Sequence, residues 1–224
     1  MDWTAVALSL RLSIATSILL LLIGIPIAGW LTFSPRRWKV LVESVVALPL
    51  VLPPTVLGFY LLVGLGPRSP LGHAFESITG SRLVFSFGGL LIASVLYSLP
   101  FMVQPLCTGF AAVERKHIEA AWCLGVSRTR TFLRLVLPLS RRAVLAGLIL
   151  SFAHTLGEFG VVLMVGGNVP GRTRTLSISI YDDVQSLDYT RAATTSAALL
   201  AFSFLVLVIT YSLQKRRPAS WPRP

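Results

Sequence analysis

Charge is what this sequence lacks most. Only 13% of its 224 residues are Asp, Glu, Lys or Arg, and only nine of those are acidic; a soluble domain typically carries about 25%. So few ions cannot dress a globule of this size for water, which leaves the bilayer as the solvent the chain suits. Cysteine is scarce as well. Neither Cys107 nor Cys123 flanks a second ligand cluster, so no metal site is expected and both are expected as reduced thiols. No GxxxxGK[ST] loop occurs, so the chain has no means of its own to cradle a nucleoside triphosphate. No basic segment precedes the first apolar run, which is too long for the core of a signal peptide, so no cleaved leader is expected.

What the chain has in excess is hydrocarbon: 54% of residues are hydrophobic and the mean hydropathy is +0.75. Five apolar stretches are each about long enough to cross a bilayer. They lie near residues 12–33, 44–65, 84–110, 144–165 and 192–211. The expected fold is all-α: a polytopic integral membrane protein with about five transmembrane helices and a coupling helix pair at 111–138. Residues 5–213 are expected to form one transmembrane domain, followed by a polar tail at 214–224.

The spans carry unusual punctuation. Gly24, Pro26 and Gly29 are expected to bend the first. Pro49, Pro53 and Pro54 remove several backbone donors from the second, and a helix opened in this way borders a neighbouring helix or a cavity rather than lipid. Pro100 and Pro105 interrupt the third, where Gln104 needs a polar partner. The fourth carries His154 and Glu158, which share a face if the helix is continuous and can then pair. An unpaired charge at mid-membrane costs at least about 3 kcal/mol, so both should face the bundle interior, with Gly157 and Gly160 admitting a close neighbour. A gate, a proton relay, an oxyanion contact and a buried packing strut all remain open for this pair. An ionised Glu158 would repel a dianion and is not expected to coordinate one. Thr55, Ser94 and Ser98 could offer hydroxyls to an anion, although such groups often bond to their own helix carbonyls.

The net charge is +11, and its placement is informative. Arg36, Arg37 and Lys39 follow the first span. Arg115, Lys116, Arg128, Arg130, Arg134, Arg141 and Arg142 follow the third, and Lys215, Arg216, Arg217 and Arg223 follow the fifth. The alternate loops hold Arg68, Arg82, Arg172, Arg174 and Arg191. The positive-inside rule then predicts an external N-terminus, with residues 111–138 and the C-terminus in the cytoplasm. Topology accounts for the basic excess, so lipid is an expected partner and nucleic acid is not.

The polar segment Glu119 to Pro138, EAAWCLGVSRTRTFLRLVLP, reads as two short helices. Residues Ala111 to Cys123 are good helix formers, with Val113, Ile118, Ala121 and Trp122 able to share a face. Gly125 suits a left-handed closing residue. Ser127 can cap a second helix over Arg128 to Leu137, and Pro138 ends that helix or opens the next. The small Ala120 and Ala121 permit close approach, and Glu119 offers a charge-assisted acceptor. On the residues alone, a solvated amphipathic hairpin on the membrane surface remains open.

Glu119-Ala120-Ala121, Gly125 and Leu137-Pro138, at these spacings, resemble the coupling loop of bacterial ABC importer permeases; Leu135 stands where the pattern usually has Ile. Three further stretches resemble the molybdate-permease subfamily: Leu48 to Leu62, Phe85 to Val103, and Gly157 to Gly160 with Asn168 to Leu176. Sulfate and tungstate permeases are similar. The subfamily's pattern has an Arg four residues before the glutamate, where this chain has His154.

The resemblance implies a homodimer enclosing a path lined by the second and fourth spans, with Pro53, Pro54, Thr55, His154, Gly157, Glu158 and Gly160 as pathway or packing candidates. It implies a separate ATPase, which carries the ATP, docked on the coupling loop of a bacterial inner-membrane subunit. It also implies a periplasmic molybdate-binding protein facing Asn168, Pro170, Gly171, Arg172 and Arg174. No cofactor and no catalytic residue is implied for this chain. An intramembrane enzyme using His154 and Glu158 is the rival class, but such chemistry needs more converging polar groups at one depth than the other spans supply.

Overall fold

The computed structural model describes residues 2–214; the basic tail residues from Lys215 onward, and the tail expected from 214, fall outside them except for Gln214. The described chain runs through α1 (Trp3–Phe33), α2 (Lys39–Val51), α3 (Pro54–Leu65), α4 (Pro70–Thr79), α5 (Phe87–Ala111), α6 (Arg115–Cys123), α7 (Arg128–Thr131), a π-helical turn (Phe132–Val136), α8 (Leu137–Leu139), α9 (Arg141–Gly157), α10 (Gly160–Gly166), α11 (Leu176–Gln185) and α12 (Tyr189–Gln214). Three helices are individually long and apolar enough to cross a membrane: α1, α5 and α12. Two bent pairs pass the same test when each is counted as one span, α2 with α3 at 112°, and Arg128–Leu139 with α9 at 73°.

The centre is built from α1, α5 and α9, which pack mutually. Their contact faces carry small residues. On α1 the buried stripe sets Ser9, Ser13, Thr16, Ser17, Gly24 and Ala28 among Leu12, Leu20 and Leu31, while Ile14, Ile18 and Leu22 point outward. Small residues on that face allow close backbone approach, and lipid can solvate the outward Leu and Ile. Met102 of α5 is the common wedge. A Cβ on Gly24 would lie 2.7 Å from its Cγ, and one on Gly147 would lie 2.9 Å from its sulfur. Any side chain added at either glycine would overpack the seam, at about 1–3 kcal/mol.

The first helix starts nine residues before the expected Leu12, because Asp2 caps it: its carboxylate accepts from the amides of Thr4 and Ala5 at 3.0 and 3.2 Å. The Thr4 hydroxyl also donates to it and, more than any other contact, holds its pKa below the ordinary carboxylate value. α1 continues as helix through Gly24, Pro26 and Gly29. α5 likewise runs unbroken through Pro100 and Pro105, where an interruption was expected. In a long membrane helix, propagation on both sides holds the turn despite one missing donor, and packing neighbours tolerate the freed carbonyls. Gln104 is exposed on α5 and finds no side-chain partner within the described protomer.

Two stretches expected as loops are helices. Ser69 caps α4 through the Gly72 amide at 2.9 Å, and Gly80 closes it at φ +68°. In α11, Leu176, Ile178 and Ser179 are buried, and the Leu176 amide donates to Ser9 of α1 at 2.7 Å. Polar residues mask that apolar edge in the sequence. α12 starts at Tyr189 and leans on α11 and α9, leaving most of its surface outward.

Candidate functional site

The segment from 111 to 138 forms the two helices expected, with shifted edges. Ala111 belongs to α5, and a short break at 112–114 precedes α6. Lys116 pairs with Glu114 across that break. Ile118 is the buried anchor of α6, set into the core around Phe110, Met102 and Leu106, with Val113 packed beside it. Ala121 is half-buried, whereas Trp122 is 43% exposed beneath the Arg128 guanidinium rather than sharing the buried face. Gly125 adopts φ +75°, and the amides of Gly125 and Val126 close α6 onto Trp122 and Ala121 carbonyls at 2.9 and 3.0 Å. A Cβ is strained in that left-handed conformation.

Ser127 caps the second helix through the Arg130 amide. That helix passes through the π-helical turn and beyond Pro138 to Leu139, ending at the 73° bend into α9. Pro138 therefore neither stops it nor starts α9; its missing amide falls at a position where the widened turn already disturbs the ladder. Leu137 packs against the core and Pro138 is exposed. Glu119 and Ala120 lie exposed on the free side of α6, with Glu119 joined to Arg115 one turn earlier at 3.0 Å. α6 thus stands on one apolar anchor, Ile118, and exposes Glu119 and the small Ala120 among Arg115, Lys116, His117 and Trp122.

The second assembly joins two helix breaks. Leu52 and Pro53 are extended, so the second crossing folds back between α2 and α3 rather than passing straight through; Pro49 stays inside α2. Within the span expected at 144–165, Glu158 is extended and Phe159 is non-helical, so the chain breaks there into α9 and α10. The breaks meet: a Cβ on Gly160 would lie 2.8 Å from Cβ of Pro54. Further along, a Cβ on Gly58 would lie 2.8 Å from Cβ of Met164 and 3.2 Å from Cα of Val161. Thus α3 and α10 zip together through two glycines, and each joins the body through a break. Pro53 and Thr55 are exposed beside that junction.

The break also separates His154 from Glu158, so the expected same-face pair does not form. His154 Nδ1 instead lies 2.9 Å from Ser98 Oγ, which also contacts Thr155 Oγ1 at 2.9 Å. The imidazole stacks on Phe101, ring centres 3.9 Å apart, and leans on Tyr97. Glu158 is only 4% exposed, and neither carboxylate oxygen has a hydrogen-bond partner among the described residues. Ser94 Oγ of α5 is likewise buried without a partner among the described residues. Gly160 admits the close neighbour expected of it. Gly157 does not: it is exposed, with nothing within 4 Å of where its Cβ would sit.

At the other end of α10 the chain is tied down. Thr173 donates to the Gly166 carbonyl at 2.6 Å, and the Phe85 amide donates to the Val165 carbonyl at 2.9 Å. Beyond it, Arg174 Nε donates to Asn168 at 2.6 Å, Asn168 donates to Asp182 at 3.0 Å, and Arg174 pairs with Asp182 at 3.1 Å. Pro170, Gly171 and Arg172 form the exposed tip, with Gly171 at φ +73°. This closed triangle makes the loop a firm platform. Of the residues that build these assemblies, Gly58 and Met164 escaped the sequence reading; the spacing of Gly58 from Pro54 by one turn was the available signal. Among the described residues no group of His, Cys, Asp and Glu could hold a metal ion.

Comparison with known proteins agrees with this architecture. The chain is 48% identical over 214 residues to the molybdenum transport system permease protein ModB of Azotobacter vinelandii, covering 96% of this chain and 95% of that one. It is 32% identical over 184 residues to a probable sulfate transport system permease protein, cysT, of Chlorokybus atmophyticus, covering 82% and 64%. Its fold resembles the crystal structure of a bacterial ABC transporter involved in the import of the acidic polysaccharide alginate, with TM-score 0.65 at 17% identity, covering 92% of this chain and 77% of that one. Residues 20–217 match the family described as binding-protein-dependent transport system inner membrane component. With apolar helices able to span a membrane and a match across most of its length, the chain belongs to that family, the membrane permease components of ABC importers.

Proposed function

We propose that this permease forms, with a second copy of itself, the translocation path of an ATP-driven molybdate importer. The observation that carries the substrate is the 48% identity to a molybdenum permease over nearly the whole of both chains. The coupling reading rests on the exposed face of α6, where Glu119 and Ala120 stand beside the half-buried Ala121. A cytoplasmic ATPase grips this face, and α6 passes its movement to the bundle through Ile118 and the bend into α9.

In this reading the N-terminus lies outside and the C-terminus inside. Arg36, Arg37 and Lys39 would share the cytoplasmic side with α6. A periplasmic molybdate-binding protein meets the loop from Asn168 to Arg174. Movement there reaches α10 through Thr173 and then α3 through the glycine seam, so α3 and α10 swing together as the gate. The breaks at Leu52–Pro53 and Glu158–Phe159 serve as hinges, because their backbone dihedrals have left the helical region between two helical segments. ATP stays on the partner ATPase, and this subunit holds no cofactor.

Uptake of labelled molybdate by proteoliposomes containing this chain, its ATPase and its binding protein tests the proposal. ATP-dependent uptake that withstands excess sulfate is expected. Uptake abolished by sulfate would move the assignment to a general oxyanion importer, the reading favoured by the likeness to a sulfate permease. An assembled complex that imports no oxyanion would refute the substrate and leave the family membership untouched.

A further inference from the structure

A crevice of about 300 Å³ opens between α1, α9 and α12. Its walls are hydrocarbon: Ile14 and Ile18 from α1, Leu148, Ile149 and Phe152 from α9, and Ile209 from α12, with Ser17 the one hydroxyl among the lining residues. α12 rests on α9 and α11 and shows most of its surface to the surroundings, which leaves the gap towards α1 accessible from the side. Water does not stay in an alkyl-lined cavity of this kind. α1 and α12 are each long and apolar enough to cross a membrane, and α9 belongs to a bent pair that passes the same test, so acyl chain is the medium expected at the mouth.

A pair of cations stands in line with it. Arg141 and Arg142 precede the lining residues Leu148 and Ile149 by seven positions each, two turns along the same face of α9. That spacing sets the guanidinium roots about 10 Å from the crevice along the helix axis. Both arginines are exposed, and among the described residues neither joins an ion pair. Leu145, 38% exposed, continues the apolar track between the two features. The stripe therefore presents a doubly basic end and a hydrocarbon end on one helix face, at a separation that one lipid spans.

We propose that this face of α9 binds an anionic phospholipid, its phosphate on Arg141 and Arg142 and one acyl chain lodged in the crevice against Ile149 and Phe152. The arginines supply bidentate donors to phosphate oxygens, and basic residues at the edge of membrane helices attract acidic headgroups. The tail fills a void that would otherwise leave its lining without contacts, and it props α12 against the α1–α9 pair. The inference stands on this geometry alone and is independent of which anion the transporter carries.

The test is native mass spectrometry of the full-length chain, re-equilibrated with equal amounts of phosphatidylglycerol and phosphatidylcholine bearing the same acyl chains. Retention of phosphatidylglycerol over phosphatidylcholine by on the order of tenfold is expected from two arginines at the headgroup. Arg141→Gln with Arg142→Gln should abolish the preference, and Ile149→Trp should abolish retention by filling the crevice. Equal retention of the two lipids, or a preference that survives loss of both arginines, overturns the proposal. Unchanged retention in Ile149→Trp overturns the placement of the tail. Absence of retained lipid in the unmodified chain also overturns it. Should Ile149→Trp fail to assemble, the arginine variant alone decides, because both side chains are exposed and their loss leaves the core intact.

Discussion

Alanine at Gly58 and alanine at Gly64 are the same change on the same helix, α3, with opposite expected results. Each gains about 1 kcal/mol of helix propensity over glycine. At Gly64 a Cβ meets nothing within 4 Å in the protomer, so Gly64→Ala should stabilise by up to that amount. At Gly58 the added carbon falls 2.8 Å from Met164 Cβ, 3.0 Å from its Cγ and 3.2 Å from the Val161 backbone. A flexible side-chain end could step aside, but Met164 Cβ and a backbone Cα cannot unless the two helices part. Overpacking of this kind costs about 1–3 kcal/mol. Propensity cancels between the two variants, so they should differ by that same amount. For a chain of this size, 1 kcal/mol moves the melting temperature by about 2–4 °C, and several degrees should separate the two in a thermal melt of purified protein. In the assembled importer, Gly58→Ala should also reduce binding-protein-stimulated ATP hydrolysis, because α3 and α10 no longer move as a zipped pair. Gly58→Ala melting at or above Gly64→Ala, with full stimulation, would refute both the seam and its role in gating.

Glu119→Arg should uncouple ATP hydrolysis from transport while leaving the melting temperature within about 1 °C of wild type, since the side chain is exposed and its surface ion pair with Arg115 is worth little; coupled transport at the normal rate would count against α6 as the docking knob. Ser98→Ala should destabilise by about 1–3 kcal/mol, because it strands both His154 Nδ1 and the buried Thr155 hydroxyl; a loss no larger than that of Ser44→Ala, on an exposed turn of α2, would show that the contacts carry no weight. Asp2→Ala should cost about 0.5–2 kcal/mol near neutral pH through loss of the cap on α1. Because the folded pKa of Asp2 is lowered, chiefly by the Thr4 hydroxyl, that stabilisation is present above the ordinary carboxylate range and fades as pH falls through the folded value. Melts of wild type and variant should therefore converge in acid, and a constant gap would contradict the assignment.

How much of this was legible in advance varied with the range of the interaction responsible. The hairpin around Gly125 and Ser127 could be read because a left-handed glycine and a serine cap act within a few residues. The same is true of the basic clusters and of the apolar runs, whose length alone marks them as crossings. The helices α4 and α11 were hidden because short amphipathic segments with several polar residues look like loops until something covers their apolar edge. Pro100 and Pro105 looked like interruptions because an isolated proline breaks an isolated helix; packed membrane neighbours keep α5 continuous.

The sequence by itself determined the all-helical class, the apolar segments suited to a membrane and the local turn at Gly125 and Ser127, since each depends on composition or on residues close together in the chain. Only the tertiary structure decided what His154 and Glu158 do. On an unbroken helix they could pair, but the fold breaks at Glu158, sends His154 to Ser98 on α5 and leaves the carboxylate buried, with no hydrogen-bond partner among the described residues. Tertiary structure likewise joined the Pro53 break to Gly160, more than a hundred residues away, through a contact only glycine permits. Local chemistry chooses helices and turns, but the partner of a buried polar group is chosen by packing between segments that the chain brings together only when it folds.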